Sequence, residues 1–136
     1  MGTRATAGLQ TKPCWTNPDD ERNLREAEYH RKAAKDHKRW ARELREAEQT
    51  ACRTLDAAAR SHSPFYHNED MLSVVQYKEG GDIRGARVTF RKVPGLTEAW
   101  MMDAIRCHQA RAAVTGFSET FLPYCPLVIK GASASV

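Results

Sequence analysis

The chain has no run of about eighteen apolar residues, the length a helix needs to cross a hydrocarbon layer. Its mean hydropathy of −0.64 excludes a membrane-embedded class. Met1 to Cys14 hold no apolar stretch of the kind that centres a secretory signal. No Cys-x-x-Cys, Gly-x-Ser-x-Gly, His-Glu-x-x-His, phosphate-loop or Gly-x-Gly-x-x-Gly motif occurs. The best-known signatures of thiol redox, hydrolase, zinc-protease and nucleotide chemistry are therefore missing. Aromatic residues are few, at 8%, and neither internal repeats nor low-complexity tracts are visible. From Asp19 to Arg60 there is no glycine and no proline.

That last absence marks the dominant feature. Pro18 to Arg60 is rich in Ala, Glu, Arg and Leu, the strong helix formers, and as one helix it would run about 64 Å. Asn17 suits the N-cap and Pro18 the first helical position, and Asp19, Asp20 and Glu21 suit the positive end of the helix dipole. A narrow inner stripe recurs at heptad spacing: His30, His37, Leu44, Ala51 and Ala58 in one row, Ala27, Ala34, Ala41, Glu48 and Leu55 in the other. It is too poor in branched side chains for a stable two-stranded coiled coil. The larger groups, Leu44, Cys52 and Leu55, lie in the C-terminal half, which is expected to dock on a core. The N-terminal half is expected to stay exposed, held by local pairs such as Glu21–Arg25, Glu28–Lys32 and Arg39–Glu43.

Beyond Pro64, SHSPFYHNED (61–70) reads as a loop and Met71 to Lys78 as a strand, followed by a turn signal at Glu79-Gly80-Gly81-Asp82. Ala86 to Val93 alternates, with Val88, Phe90 and Lys92 on one face and Arg87, Thr89 and Arg91 on the other. Pro94-Gly95 ends that strand. Thr97 caps a second helix, Glu98 to about Thr115, with Gly116 beyond its end. The apolar face of this helix is Met101, Ala104, Ile105, His108 and Ala112, flanked by Trp100 and Cys107. Leu127-Val128-Ile129 reads as a short apolar strand, and ASASV carries no stop signal, so the native chain is expected to continue past Val136, while an earlier start than Met1 is left open. The fold class is α+β: a disordered tail (1–16), a long charged N-terminal helix (17–60) and a small ββαβ domain (61–136), with a mainly antiparallel sheet and the second helix on one face.

The charge is +4, from 21 Lys and Arg against 17 Asp and Glu, but the long helix is nearly balanced, with eleven basic and ten acidic residues. Arg31, Lys35, Lys38, Arg42 and Arg45 follow steps of 4, 3, 4 and 3 along one side of that helix. Such a row could track a phosphate backbone or an anionic surface. Glu28, Glu43 and Glu46 dilute it, most rows of this kind are solvated faces, and the balance weighs against nucleic acid.

Four cysteines (Cys14, Cys52, Cys107 and Cys125) and five histidines (His30, His37, His62, His67 and His108) supply the soft and borderline donors that zinc and copper prefer. His30 and His37 are two turns apart, too far to chelate one ion. A composite metal site would draw on His62, His67, Cys107, His108 and Cys125; the plainer reading is hydrogen-bonded histidines with packed or paired cysteines. No cysteine stands at a helix start, where a catalytic thiolate is most easily stabilised. In an oxidising compartment Cys52, Cys107 and Cys125 are the disulfide candidates: Cys107 with Cys125, or Cys52 with either.

HSPFYHNED, GARVTFRKVPGLTEAWMMDAIRCHQARAA and YCPLVIKG resemble segments of an uncharacterised family of small bacterial exported proteins or lipoproteins, over roughly residues 26–136. The resemblance implies a periplasmic or secreted location and no known activity, whereas the missing signal peptide leaves the cytoplasm open. The expectation is a non-enzymatic binding or structural protein of the bacterial envelope, without a cofactor, that docks a protein partner through residues 18–42. The alternatives are a Cys/His zinc or copper binder and a binder of nucleic acid or acidic surfaces through the basic helix face.

Overall fold

The computed structural model describes residues 18–66, 68–118 and 125–136. Asn17, Cys14 and His67, each singled out in the sequence, lie outside the described residues. The chain divides into two units, Met1–Trp40 and Ala41–Val136.

Helix α1 spans Pro18–Cys52. Its acidic first turn and lack of helix breakers are what such a length requires. Within the first unit its side chains are mostly exposed and paired along the helix: Asp19 with Arg22 at 3.0 Å, Glu21 with Arg25 at 3.7 Å and Asp36 with Arg39 at 3.1 Å. Each such pair contributes only a few tenths of a kcal/mol, about 0.2–0.5. No helix among the described residues is long and apolar enough to cross a membrane.

The second unit begins with the last turns of α1. The helix does not run on to Arg60, as the lack of Gly and Pro predicts. It stops at Cys52, the chain turns through Arg53 to Leu55, and a short helix α2 covers Ala57–Ser61. Two side chains explain the break. Leu55 turns into the core, where it is 4% exposed. Asp56 caps the new helix, its Oδ1 accepting from the Ala59 N–H at 2.8 Å. Leu44 does not serve as core wall; it is 40% exposed. The buried apolar contact of this stretch is made by Cys52 and Leu55, because the inner stripe has no large apolar residue between Leu44 and them.

Strands β1 (Met71–Glu79) and β2 (Asp82–Phe90) form a two-stranded antiparallel hairpin. Gly80 and Gly81 take φ of +60° and +93° at its turn, the left-handed pair that suits the twist of adjoining strands. The register pairs Val74 with Val88 and Gln76 with Ala86, with irregularities between Met71 and Ser73 and between Tyr77 and Lys78. The hairpin reaches the core mainly through Phe90, which meets Phe65 at a ring separation of 6.1 Å.

Helix α3 spans Glu98–Val114. The Thr97 hydroxyl accepts from the Trp100 N–H at 3.1 Å. At the other end Phe117 N–H donates to the Ala112 carbonyl at 2.7 Å and Gly116 N–H to that of Ala113 at 3.2 Å. These two bonds satisfy carbonyls that the helix leaves open, and Gly116 supplies the left-handed φ of +66° they need. Its buried residues are Met101, Ala104, Ile105, Cys107, His108 and Ala112, the face that the 3.6-residue period marks out. One side of this face packs with Cys125, Leu127 and Val128, the other with Cys52 and Leu55, and Trp100 touches both groups.

The last predicted strand is not one. Pro126–Val128 is a turn of 3-10 helix, and Ser133 to Val136 are irregular. Pro126 has no N–H for a ladder and its fixed φ suits a first helical position. Leu127 and Val128 turn onto α3 while Ile129 is 63% exposed. The architecture is therefore α+β, with a two-stranded antiparallel sheet, and α3 packs chiefly on α2 and on this turn rather than across the sheet.

Candidate functional site

Three segments meet around α3: the end of α1, α2 and the turn after Cys125. Cys107 is disulfide-bonded to Cys52, with Cα atoms 4.6 Å apart. His108, the next residue, is about 100° further round the helix and points elsewhere. Its Nε2 lies 3.0 Å from the Ala59 carbonyl oxygen and its Nδ1 3.9 Å from Cys125 Sγ. A carbonyl only accepts, so the proton sits on Nε2. The lone pair of Nδ1 then faces the thiol, which donates to it. His108 is fully buried and Cys125 is 5% exposed and unpaired.

The electrostatics favour the neutral ring. Burial is the largest influence and holds the His108 pKa below its ordinary value. The Ala59 carbonyl works against that shift and the positive charge of Arg111 reinforces it; the His62 backbone opposes it and the His62 charge adds to it. Arg111 is itself anchored, donating to the Arg60 carbonyl and lying 3.6 Å from Glu48. Arg60 Nε donates to the Leu55 carbonyl at 2.7 Å, and Thr54 donates to Asp103 Oδ2 at 3.0 Å. Thr54 and the Arg60 carbonyl thus tie the α1–α2 connection and α2 to α3.

The proposed metal donors are not gathered. Cys107 is consumed by the disulfide, which corrects its placement among metal ligands. His67 lies outside the described residues. His62 is exposed, with Nδ1 3.2 Å from the Ala58 carbonyl and its ring tilted against Tyr66 at 5.1 Å. Among the described residues no three His, Cys, Asp or Glu side chains gather as a metal ion requires. Among the described donors, the side chains of His108 and Cys125 come together as a buried thiol–imidazole pair. Of the three disulfide candidates, Cys52 and Cys107 are bonded and Cys125 is not.

Beside this hub a cleft of about 390 Å³ opens between α2 and the loop before α3, lined by Ala59, His62, Ser63, Asp70, Phe90 and Trp100. Ser63 is buried, its hydroxyl accepting from the Phe65 N–H at 3.2 Å, and Asp70 is 3.5 Å from Arg91. The polar groups that line the cleft thus have partners of their own. The basic row Arg31, Lys35, Lys38, Arg42 and Arg45 falls on α1 with all five residues exposed; Arg42 lies 3.8 Å from Glu46.

Sequence reasoning missed the Ala59 carbonyl and the break that presents it. The available signal was Asp56 before Ala57-Ala58-Ala59, a capping residue ahead of a new helical run. Comparison with protein-family profiles, curated proteins and solved structures yields no match for the chain.

Proposed function

We propose that the protein is a non-enzymatic, disulfide-stapled binding or structural protein of an oxidising compartment, the bacterial envelope, and that it engages a protein partner through residues 18–42 of α1. The observation that carries this reading is the disposition of its reactive groups against its exposed ones. The nucleophile-and-base pair, Cys125 and His108, is spent inside the core, whereas α1 presents Leu24, Tyr29 and Trp40 to solvent at 50%, 70% and 49% exposure. His37 meets Trp40 edge-on at 5.4 Å and Tyr29 meets His30 at 5.6 Å. Aromatic rings among charged residues are what binding surfaces favour, since a ring buries a large area at low entropic cost. The Cys52–Cys107 bond supports the compartment, because reducing cytosols keep such thiols open.

Photo-crosslinking from single positions on the full chain, carried out in envelope extract, tests the reading. Adducts with one partner are expected from positions beside Tyr29 and Trp40 and are expected to be lost in a Tyr29→Ala/Trp40→Ala variant. A partner captured equally by that variant, or both cysteines reduced in protein taken from its native location, would overturn it.

A further inference from the structure

We infer that β1 pairs along its free edge with β1 of a second copy of this chain, antiparallel about Val74, to form a continuous four-stranded sheet. The inference is independent of the partner proposed for α1.

The hairpin is incomplete as it stands. Two strands alone are marginally stable in water and need a third strand or a helix across one face. Here α3 packs chiefly on α2 and the 3-10 turn, and most of the hairpin's large apolar side chains stay in solvent. Leu72, Val74, Val75, Tyr77 and Ile83 are 65%, 60%, 51%, 44% and 61% exposed. Val74 and Val75 are consecutive and face opposite sides of the strand, so both faces of β1 are left uncovered.

The two edges differ. Monomeric proteins guard a free edge with charge, proline or a covering element. β2 carries Asp82, Arg84 and Arg87 and an interior Gly85. β1 has no charged residue and neither glycine nor proline from Met71 to Tyr77. β1 is therefore the edge without guarding charge, and its own irregularity, at Leu72, is confined to the start of the strand.

Charge selects the occupant and its direction. The uncharged run begins just after Asp70 and ends just before Lys78. A second β1 laid antiparallel about Val74 sets Asp70 opposite the copy's Lys78, twice by symmetry, with Leu72 opposite Gln76 between them. A parallel copy would set like charge on like. Asp70 ends a 3-10 turn, Asn68–Asp70, just before β1; its carbonyl accepts from the Arg91 N–H at 2.8 Å and its carboxylate lies 3.5 Å from Arg91. The next pair outward, Glu69 with the copy's Glu79, lies beyond the start of β1 and at the hairpin turn. A twofold axis through Val74 makes the contact self-complementary and closed, so it ends at a dimer rather than a fibre.

Symmetry makes the test specific. Only a residue on the axis meets itself in the copy. In the full chain, Val74→Cys is expected to give a disulfide-linked dimer under mild oxidation, while Leu72→Cys alone gives little. Mixed with Gln76→Cys, Leu72→Cys is expected to form the heterodimer. The parent protein is expected to show a concentration-dependent dimer by analytical ultracentrifugation, lost in Val74→Lys. Circular dichroism on that variant separates loss of dimer from loss of fold. A parent that stays monomeric across the dilution series overturns the inference, as does crosslinking equally efficient at all three positions. So does a monomer whose β1 edge is taken by an unrelated strand.

Discussion

His108 Nε2 and the Ala59 carbonyl, separated by 49 residues in sequence, lie 3.0 Å apart in the core. The contact ties a histidine of α3 to α2, beside the Arg111 donation to the Arg60 carbonyl and the packing of Ala59 against the Cys52–Cys107 cluster. One hydrogen bond contributes about 1 kcal/mol net, but a buried ring left without its partner would cost about 1–3 kcal/mol.

The direction of the pH response follows from this burial. The folded-state pKa of His108 is lowered, chiefly by desolvation, while in the unfolded chain the ring titrates near its ordinary value of about 6.5. Between the two values the unfolded chain binds more protons, so stability rises with pH through that window. His108 therefore contributes no penalty above about 6.5, and stability falls as pH drops below that value toward the lowered folded pKa. Thermal melts of the parent and of His108→Gln across this range check it. The variant is expected to be less stable at neutral pH and to have a flatter profile on the acid side; parallel profiles would be the wrong result.

Reduction of Cys52–Cys107 is expected to lower stability by about 4 kcal/mol, the chain-entropy value for a loop of this length. A denaturant titration with and without reductant measures it. Cys52→Ser/Cys107→Ser is expected to reproduce the reduced protein's midpoint, with no further loss on adding reductant.

Cys125 is expected to resist alkylation in the folded state and to react on unfolding, because its thiol is buried and donates to His108. Peptide mapping after iodoacetamide treatment, with and without denaturant, reads this at a single residue. Labelling of Cys125 in the native protein at the rate of a free thiol would contradict the packing described above.

Asp56→Ala is expected to cost about 1 kcal/mol through loss of the α2 cap. It should also speed hydrogen exchange at Arg60 and His62, whose N–H groups donate to the Asp56 and Ala58 carbonyls. A comparable loss is expected for Thr97→Ala, but with faster exchange confined to the first turn of α3. Ile105→Ala, in the centre of the core, should cost more, roughly 2–5 kcal/mol.

Legibility varied with how local the cause was. The face of α3 could be read from Met101, Ala104, Ile105, His108 and Ala112 because helical period and burial coincide there. The hairpin turn could be read from Gly80-Gly81, and the α3 boundaries from Thr97 and Gly116. Leu127-Val128-Ile129 could not be assigned, since a three-residue apolar run has no period of its own. Only Pro126 hinted that it would not join a ladder. Among the candidate site residues, the side chains of His108 and Cys125 meet, while Cys107 is bonded to Cys52 and the His62 ring is exposed.

The sequence by itself determined the helical rod, the hairpin, the second helix and its buried face. Each depends on contacts between residues a few positions apart, or on the backbone freedom of single residues. Only the tertiary structure decided where α1 stops, that Cys52 rather than Cys125 joins Cys107, and that His108 spends its N–H on Ala59. Those outcomes depend on which side chains meet across about fifty residues of chain. Such meetings are selected by the packing of Leu55 and α3 in three dimensions, for which residue spacing carries no signal.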